Sequence, residues 1–200
     1  MWARLESNTI VEILTRPKAL NIGGTQYPQN IFSMWSSSEL AAIGIVPVTI
    51  DDTNFKNKEY YINTDVTYAY STETGKVTGT YGSATAIPIA DTLYTAQDET
   101  DGLGTEGEVK TLGLKSAHKE SINLQAAAKL QPTDWMVVRA AEGGTAVPSS
   151  ITTKRAAVRT KANAMCTQID AASDIDALIA LYVYNNETPP VRPLGELPTV

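Results

Sequence analysis

The stretch from Leu130 to Pro148 constrains this chain more than any other, because helix starts and stops crowd into it. Pro132 lacks the backbone N–H that a continuing helix needs and ends a helix running from Lys115 to Leu130. Thr133 is positioned to cap a second helix, Asp134 to Glu142, and Asp134 complements the positive end of its dipole. Gly143-Gly144 stops that helix, and Pro148-Ser149-Ser150 opens a third that reaches about Ala172. The outcome is a helical hairpin carrying one large aromatic, Trp135, together with Arg139 and Glu142. Such a unit presents a surface and holds nothing that resembles a reaction centre.

The flanking helices follow the same logic. Ile122, Leu124, Ala126-Ala127-Ala128 and Leu130 suit the first helix. In the third, Val158, Ala162, Met165, Ile169 and Ala172 step by four and three, while Arg155 interrupts the seam between Ile151 and Val158. Ser173 or Asp174 caps a last helix, Ile175 to Tyr184.

The N-terminal half reads as β. Trp2 to Glu6 and Thr9 to Leu14, joined by Ser7-Asn8, form a hairpin. Arg16-Pro17, Asn21 to Thr25 and Tyr27-Pro28 are breaks or turns. A compact helix over Ser36 to Gly44 starts on a serine cap and ends on Gly44 in the left-handed region. Strands follow over Ile45 to Ile50, Tyr60 to Asn63, Val66 to Tyr70 and Lys76 to Tyr81, the last two joined at Thr74-Gly75. Val66, Tyr68 and Tyr70 share one face by the two-residue period: a half-buried sheet face, or a tyrosine platform for glycans. Phe32, Met34 and Trp35 form an apolar cluster suited to the N-terminal core.

Residues 90–108 carry Asp91, Asp98, Glu99, Asp101, Glu106 and Glu108 among glycines, with no Lys or Arg. This composition predicts a linker or extended arm. Asp98, Asp101 and Gly102 do not follow the spacing of a calcium-binding loop. The tail, 185–200, holds Pro189, Pro190, Pro193 and Pro198, which forbid a regular helix, so an ordered tail needs a partner chain or a fold-back to hold it. The expected organisation is therefore α+β: a small, mainly antiparallel β module (1–89), an acidic linker (90–108), a helical module (109–184) and an extended Pro-rich tail (185–200).

Composition narrows the function. With a net charge of −6, the chain lacks the bulk positive charge that holds phosphates, so nucleic acid is not an expected partner. No run is long and apolar enough for a membrane span, and the first residues lack a secretory h-region, so synthesis in a cytoplasm is expected. His118 is the only histidine and Cys166 the only cysteine, which rules out a histidine-rich metal site and an internal disulfide. His118 reads as an ordinary exposed helix residue and Cys166 as a buried, inert thiol. Phosphate-binding, dinucleotide-binding and nucleophile-elbow motifs are missing. Glu59, Asp65 and Asp91 offer carboxylates of the type that glycosidases pair, but nothing in their spacing sets them across a cleft. The expectation is a protein that is not an enzyme and takes no cofactor or metal.

Interaction residues are a different matter. Trp135 can anchor the hairpin internally or form the centre of a protein interface, where Trp and Arg are enriched. Lys154, Arg155, Arg159 and Lys161 make a basic cluster, with Arg155 and Arg159 sharing a face four residues apart. Asp170, Asp174 and Asp176 could meet that cluster on a neighbouring copy. The expected partner-binding set is Trp135, Arg139, Arg155, Arg159, Pro189, Pro190 and Pro193.

The run Leu130-x-x-Thr133-Asp134-Trp135, with Arg139, Glu142-Gly143, Val147-Pro148 and Arg155-x-x-x-Arg159, resembles the C-terminal segment of bacteriophage tail proteins of the tail-fibre-associated and tail-fibre assembly chaperone type. The opening Met1-Trp2-Ala3-Arg4-Leu5-Glu6-Ser7-Asn8-Thr9-Ile10-Val11-Glu12-Ile13 is similar to the start of phage tail proteins, more loosely. The middle, Tyr60 to Glu108, carries no such likeness. The resemblance implies a non-enzymatic virion component of the tail, at the baseplate or fibre attachment region, made in the host cytoplasm. Such a protein contacts other tail subunits in a homo-oligomeric or multi-copy assembly. The alternative is a tail-fibre assembly chaperone that leaves the finished particle, and the second alternative is a tail-associated glycan-binding module.

Overall fold

The structure, a computed structural model, describes residues 1–200, and the chain divides into two compact units, Met1–Thr85 and Ala86–Val200. The class is α+β, with strands through residue 111 followed by helices from residue 114 to 180.

In the N-terminal unit, β1 (Trp2–Glu6) and β2 (Thr9–Leu14) form the expected hairpin, turning on Ser7 and Asn8, both at positive φ. Positive φ at both central residues gives the turn the twist of its flanking strands. A small hairpin follows, β3 (Leu20–Ile22) with β4 (Thr25–Tyr27), then the short helices α1 (Ile31–Met34) and α2 (Ser37–Ala42). Ser36 and Glu39 make a reciprocal capping box at the start of α2. At its end Gly44 has φ +79°, and a Cβ there would lie 2.6 Å from the Leu5 carbonyl oxygen, so only glycine fits. The chain continues through β5 (Ile45–Asp51), β6 (Tyr61–Ile62), β7 (Val66–Ser71), β8 (Lys76–Tyr81) and β9 (Thr85–Ala86).

The main sheet has the order β2-β1-β5-β8-β7. It is mainly antiparallel, as expected, with one exception: β5 runs parallel to β8, and every other neighbouring pair is antiparallel. The cause is the long connection after β5, which lets the chain return in the same direction instead of turning back at once. β2 and β7, the two ends of this order, also touch, so the sheet curls.

The period-2 alternation splits the core. Leu14, Leu20, Ile31, Leu40 and Ile45 are buried on one face, with Trp2, Tyr27, Phe32 and Trp35 packed against them. Ala3, Val46 and Val77 are buried on the other, inside the curl, where Leu5, Ile13, Tyr68 and Tyr70 pack on them. Of the expected aromatic cluster, Phe32 and Trp35 join the core, stacking near Trp2 and Tyr27, while Met34 is 73% exposed. Tyr68 and Tyr70 take the half-buried role and present no open platform.

In the C-terminal unit, the acidic stretch expected as a linker is folded. β10 (Thr92–Leu93) pairs with β11 (Val109–Thr111) around the helix α3 (Ala96–Thr100). Thr95 and Asp98 cap α3 reciprocally, and Lys110, just past the stretch, binds Asp98 at 2.6 Å. One lysine from the neighbouring strand thus supplies the positive charge the stretch lacks.

α4 (Leu114–Leu130) buries Leu114, His118, Ile122 and Ala126, one residue per turn, against α6 (Ser149–Ala171). α6 answers with Arg155, Val158, Ala162, Met165 and Ile169. His118, expected exposed, is buried, and its Nδ1 lies 2.7 Å from the Tyr182 hydroxyl. Asp174 accepts a hydrogen bond from the Ala177 amide and caps α7 (Ile175–Ala180), which stops short of the expected Tyr184. The tail folds back on its own unit. Leu194 and Leu197 are buried, the Leu194 amide donates to the Leu181 carbonyl, and Lys161 Nζ donates to the Leu194 carbonyl at 2.9 Å.

Candidate functional site

The hairpin between α4 and α6 forms the candidate surface. α4 passes through a single 3-10 turn (Gln131–Thr133) into α5 (Asp134–Ala141). Thr133 does not cap α5 as expected, because its hydroxyl donates to the Leu130 carbonyl instead. The stabilising group comes from α6. Arg155 Nη1 donates to the Leu130 carbonyl at 2.7 Å and to Thr133 Oγ1 at 2.5 Å, and Nη2 pairs with Asp134 at 2.7 Å. A single guanidinium thus ties together the end of α4, the turn and the start of α5, using the planar fork that distinguishes Arg from Lys.

This fixes the base of α5 and leaves the rest of the helix outside the core, for none of its residues is buried. Trp135 and Val138 are each 55% exposed. Arg139 stacks over the Trp135 ring at 4.8 Å, which orients the indole and shields Arg139 Nε from solvent without giving it a hydrogen-bond partner. Gly143, at φ +85°, ends the helix, and the chain remains exposed through Gly144, Thr145 and Ala146.

The expected partner-binding residues therefore separate. Trp135 and Arg139 sit together on the free helix. Arg155 is turned inward and buried, because the interrupted seam position it occupies faces α4; it supports α5 from within and shares no outer face with Arg159, which is exposed. Pro189, Pro190 and Pro193 are exposed on a tail held by its own unit, and the Pro193 carbonyl accepts from Gln168 on α6. Asp170, considered for a neighbouring copy, pairs with Lys119 of the same chain at 2.7 Å, a contact that raises the lysine's pKa.

Other titratable groups also have structural duties. Asp91 accepts from the Gly113 amide and the Ser116 hydroxyl, which lower its pKa, and it belongs to the C-terminal unit while Glu59 and Asp65 belong to the other. Burial pushes the Cys166 thiol up, away from the reactive thiolate. No group of three or more His, Cys, Asp or Glu side chains is placed to hold a metal ion. No helix is long and apolar enough to cross a membrane.

The signal for the α5 surface was present in the sequence as Trp135 and Arg139 one helical turn apart. The role of Arg155 was legible only as a cation on an apolar seam, a position that demands internal acceptors. No protein-family model, curated protein or solved structure matches this chain.

Proposed function

We propose that this chain is a non-enzymatic structural component of a bacteriophage tail, in the baseplate or fibre attachment region, where α5 joins it to a neighbouring tail subunit in a multi-copy assembly. The observation that carries the reading is that α5 buries none of its residues while it presents Trp135, Val137 and Val138 to solvent. Apolar side chains left outside a protein's own core cost free energy in water until another surface covers them. The stacked Trp135–Arg139 pair supplies the residue types that dominate interface centres. The phage-tail resemblance of Leu130 to Arg159 covers this same hairpin and supports the assignment.

Quantitative mass spectrometry of purified phage particles tests it. A tail component is retained at constant stoichiometry, and a double substitution, Trp135→Ala with Arg139→Ala, strongly lowers its incorporation. Abundance in the infected cell combined with loss from the particle would make the chain an assembly chaperone.

A further inference from the structure

We propose that the N-terminal unit carries a carbohydrate-binding cleft, built on the paired rings of Phe55 and Tyr81 and suited to an uncharged hexopyranoside. The cleft lies between the β5–β7 connection and the end of β8, with a volume of about 470 Å³. That is within the usual range for small-ligand sites, about 300–1,000 Å³. It is separate from α5 and does not depend on the role assigned there.

The cleft is preformed. The Phe55 and Tyr81 ring centroids are 5.0 Å apart at a tilt of 58°. Asn54 Nδ2 donates to the Tyr81 carbonyl at 3.0 Å, tying the connection to the end of β8. The Asn63 side chain grips the Lys56 backbone twice, accepting from its amide at 2.7 Å and donating to its carbonyl at 2.8 Å. On the far side the Gly82 amide donates to Thr64 Oγ1 at 2.7 Å. These bonds hold irregular backbone in one shape without any ligand, which lowers the entropy cost of binding.

The lining has the two-sided chemistry of a sugar. Phe55 is 39% exposed and Ile62 62% exposed, so apolar surface is open to a ligand. Beside it the Tyr61 hydroxyl and the Asp65 carboxylate make no hydrogen bond within the chain, and Lys58 Nζ lies 5.7 Å from the centre of the Phe55 ring. A pyranose ring offers polarised C–H groups on one face, which the negative face of an aromatic ring attracts, and hydroxyls around its rim. A carboxylate accepts from those hydroxyls, while an ammonium and a phenol donate to them. Lys58 and Asp65 balance in charge, which favours an uncharged ligand over a phosphate or a sugar acid. A wholly apolar ligand would strip water from both groups without replacing its hydrogen bonds. Tyr68 and Tyr70 take no part, since they pack inside the curled sheet.

The test uses the full chain, titrated with the methyl glycosides of glucose, galactose, mannose and N-acetylglucosamine, with cyclohexanol as the ring-shaped apolar control. Saturation-transfer and amide-shift NMR report binding and its location. At least one glycoside is expected to bind with shifts confined to the cleft, more tightly than cyclohexanol. Phe55→Ala and Asp65→Asn, both at exposed positions, are each expected to weaken it about tenfold or more, while amide spectra elsewhere in the unit stay unchanged. Three outcomes overturn the proposal: no glycoside binds at tens of millimolar, cyclohexanol binds as well as the glycosides, or both variants bind like the parent chain.

Discussion

The Arg155 guanidinium on α6 lies 2.7 Å from the carbonyl oxygen of Leu130, the last residue of α4. A helix end whose last carbonyls lack donors is normally met by water or a glycine cap; here a cation from the neighbouring helix donates to it and also reaches Thr133. Arg155→Ala is expected to destabilise the C-terminal unit by about 2–4 kcal/mol, chiefly through charge-assisted hydrogen bonds lost from a buried site. The ion pair itself contributes little, because the Asp134 side chain is 54% exposed. Asp134→Asn should therefore cost less than about 1 kcal/mol, and Arg159→Ala should change stability by less than about 0.5 kcal/mol. Urea unfolding of the three variants checks the ranking.

Trp135→Ala should separate stability from association. The indole is half-exposed and stacks with Arg139, and an exposed cation–π contact is worth about 0.5–1 kcal/mol, so the isolated chain should lose little stability, on the order of 1 kcal/mol. Under the role proposed for α5, its binding to the tail subunit proposed as its neighbour should fall by about 2 kcal/mol or more, the scale of an interface hot spot. Thermal melts set against copurification from particles would show the divergence; a melt lowered as much as a core truncation would place Trp135 inside the fold.

Two glycines offer graded tests of packing. A Cβ on Gly79 would lie 2.8 Å from side-chain carbons of Ile50, Val66 and Tyr68, which can shift, so Gly79→Ala should cost about 1–3 kcal/mol. A Cβ on Gly113 would lie 2.3 Å from the backbone carbonyl carbon and oxygen of Ala90, which cannot turn aside. Gly113→Ala should be the more damaging of the two, seen as a lower melting temperature for the C-terminal unit.

Acid should loosen the β10–α3–β11 segment through Asp98. The bond from Lys110, helped by the amide and hydroxyl of Thr95, holds its pKa at about 2, below the ordinary 3.8. A carboxyl depressed in the folded state stabilises fully above its unfolded pKa and loses that contribution as pH falls through the folded value. The Thr95 and Asp98 amides should therefore lose hydrogen-exchange protection between about pH 4 and pH 2. Asp98→Asn should flatten this dependence, and Lys110→Met should move it to higher pH.

Leu194 is fully buried within the Pro-rich tail. Leu194→Ala should destabilise the C-terminal unit by about 2–5 kcal/mol, as for other leucines in packed interiors. Limited proteolysis after Asn185 should become rapid in that variant and stay slow in the parent chain.

What could be read before folding was whatever local chemistry decides. The serines before Glu39, the Ser173-Asp174 pair before Ile175 and Gly44 mark their helix ends in the sequence, and in the structure Ser36 with Glu39, Asp174 and Gly44 act there. The four-three stepping over Val158, Ala162, Met165 and Ile169 marked the side of α6 that is buried. What escaped depends on distant partners. Lys110 folds an acidic stretch that reads as a linker, the four-residue α1 is too short to show periodicity, and the parallel pairing of β5 with β8 joins residues far apart in the chain. At the candidate surface, Trp135 and Arg139 could be paired by spacing alone, whereas the inward turn of Arg155 required knowledge of where Leu130 would end. Leu194 and Leu197, apolar residues three apart among prolines, were the unread sign that the tail folds home.

The parallel register of β5 with β8 also sets an order of events during synthesis. Val48 to Asp51 find their ladder partners at Val77 to Thr80, so one side of β5 stays unpaired until those later residues have left the ribosome. The β1–β2 hairpin and its pairing with β5 use residues already made, so they can assemble while translation continues. A nascent chain paused between Asp51 and Lys76 would carry a half-built sheet with an open margin, the state in which strands of two chains most readily join by mistake. Rapid translation through this interval, or a holding factor on the ribosome, should therefore raise the yield of soluble protein.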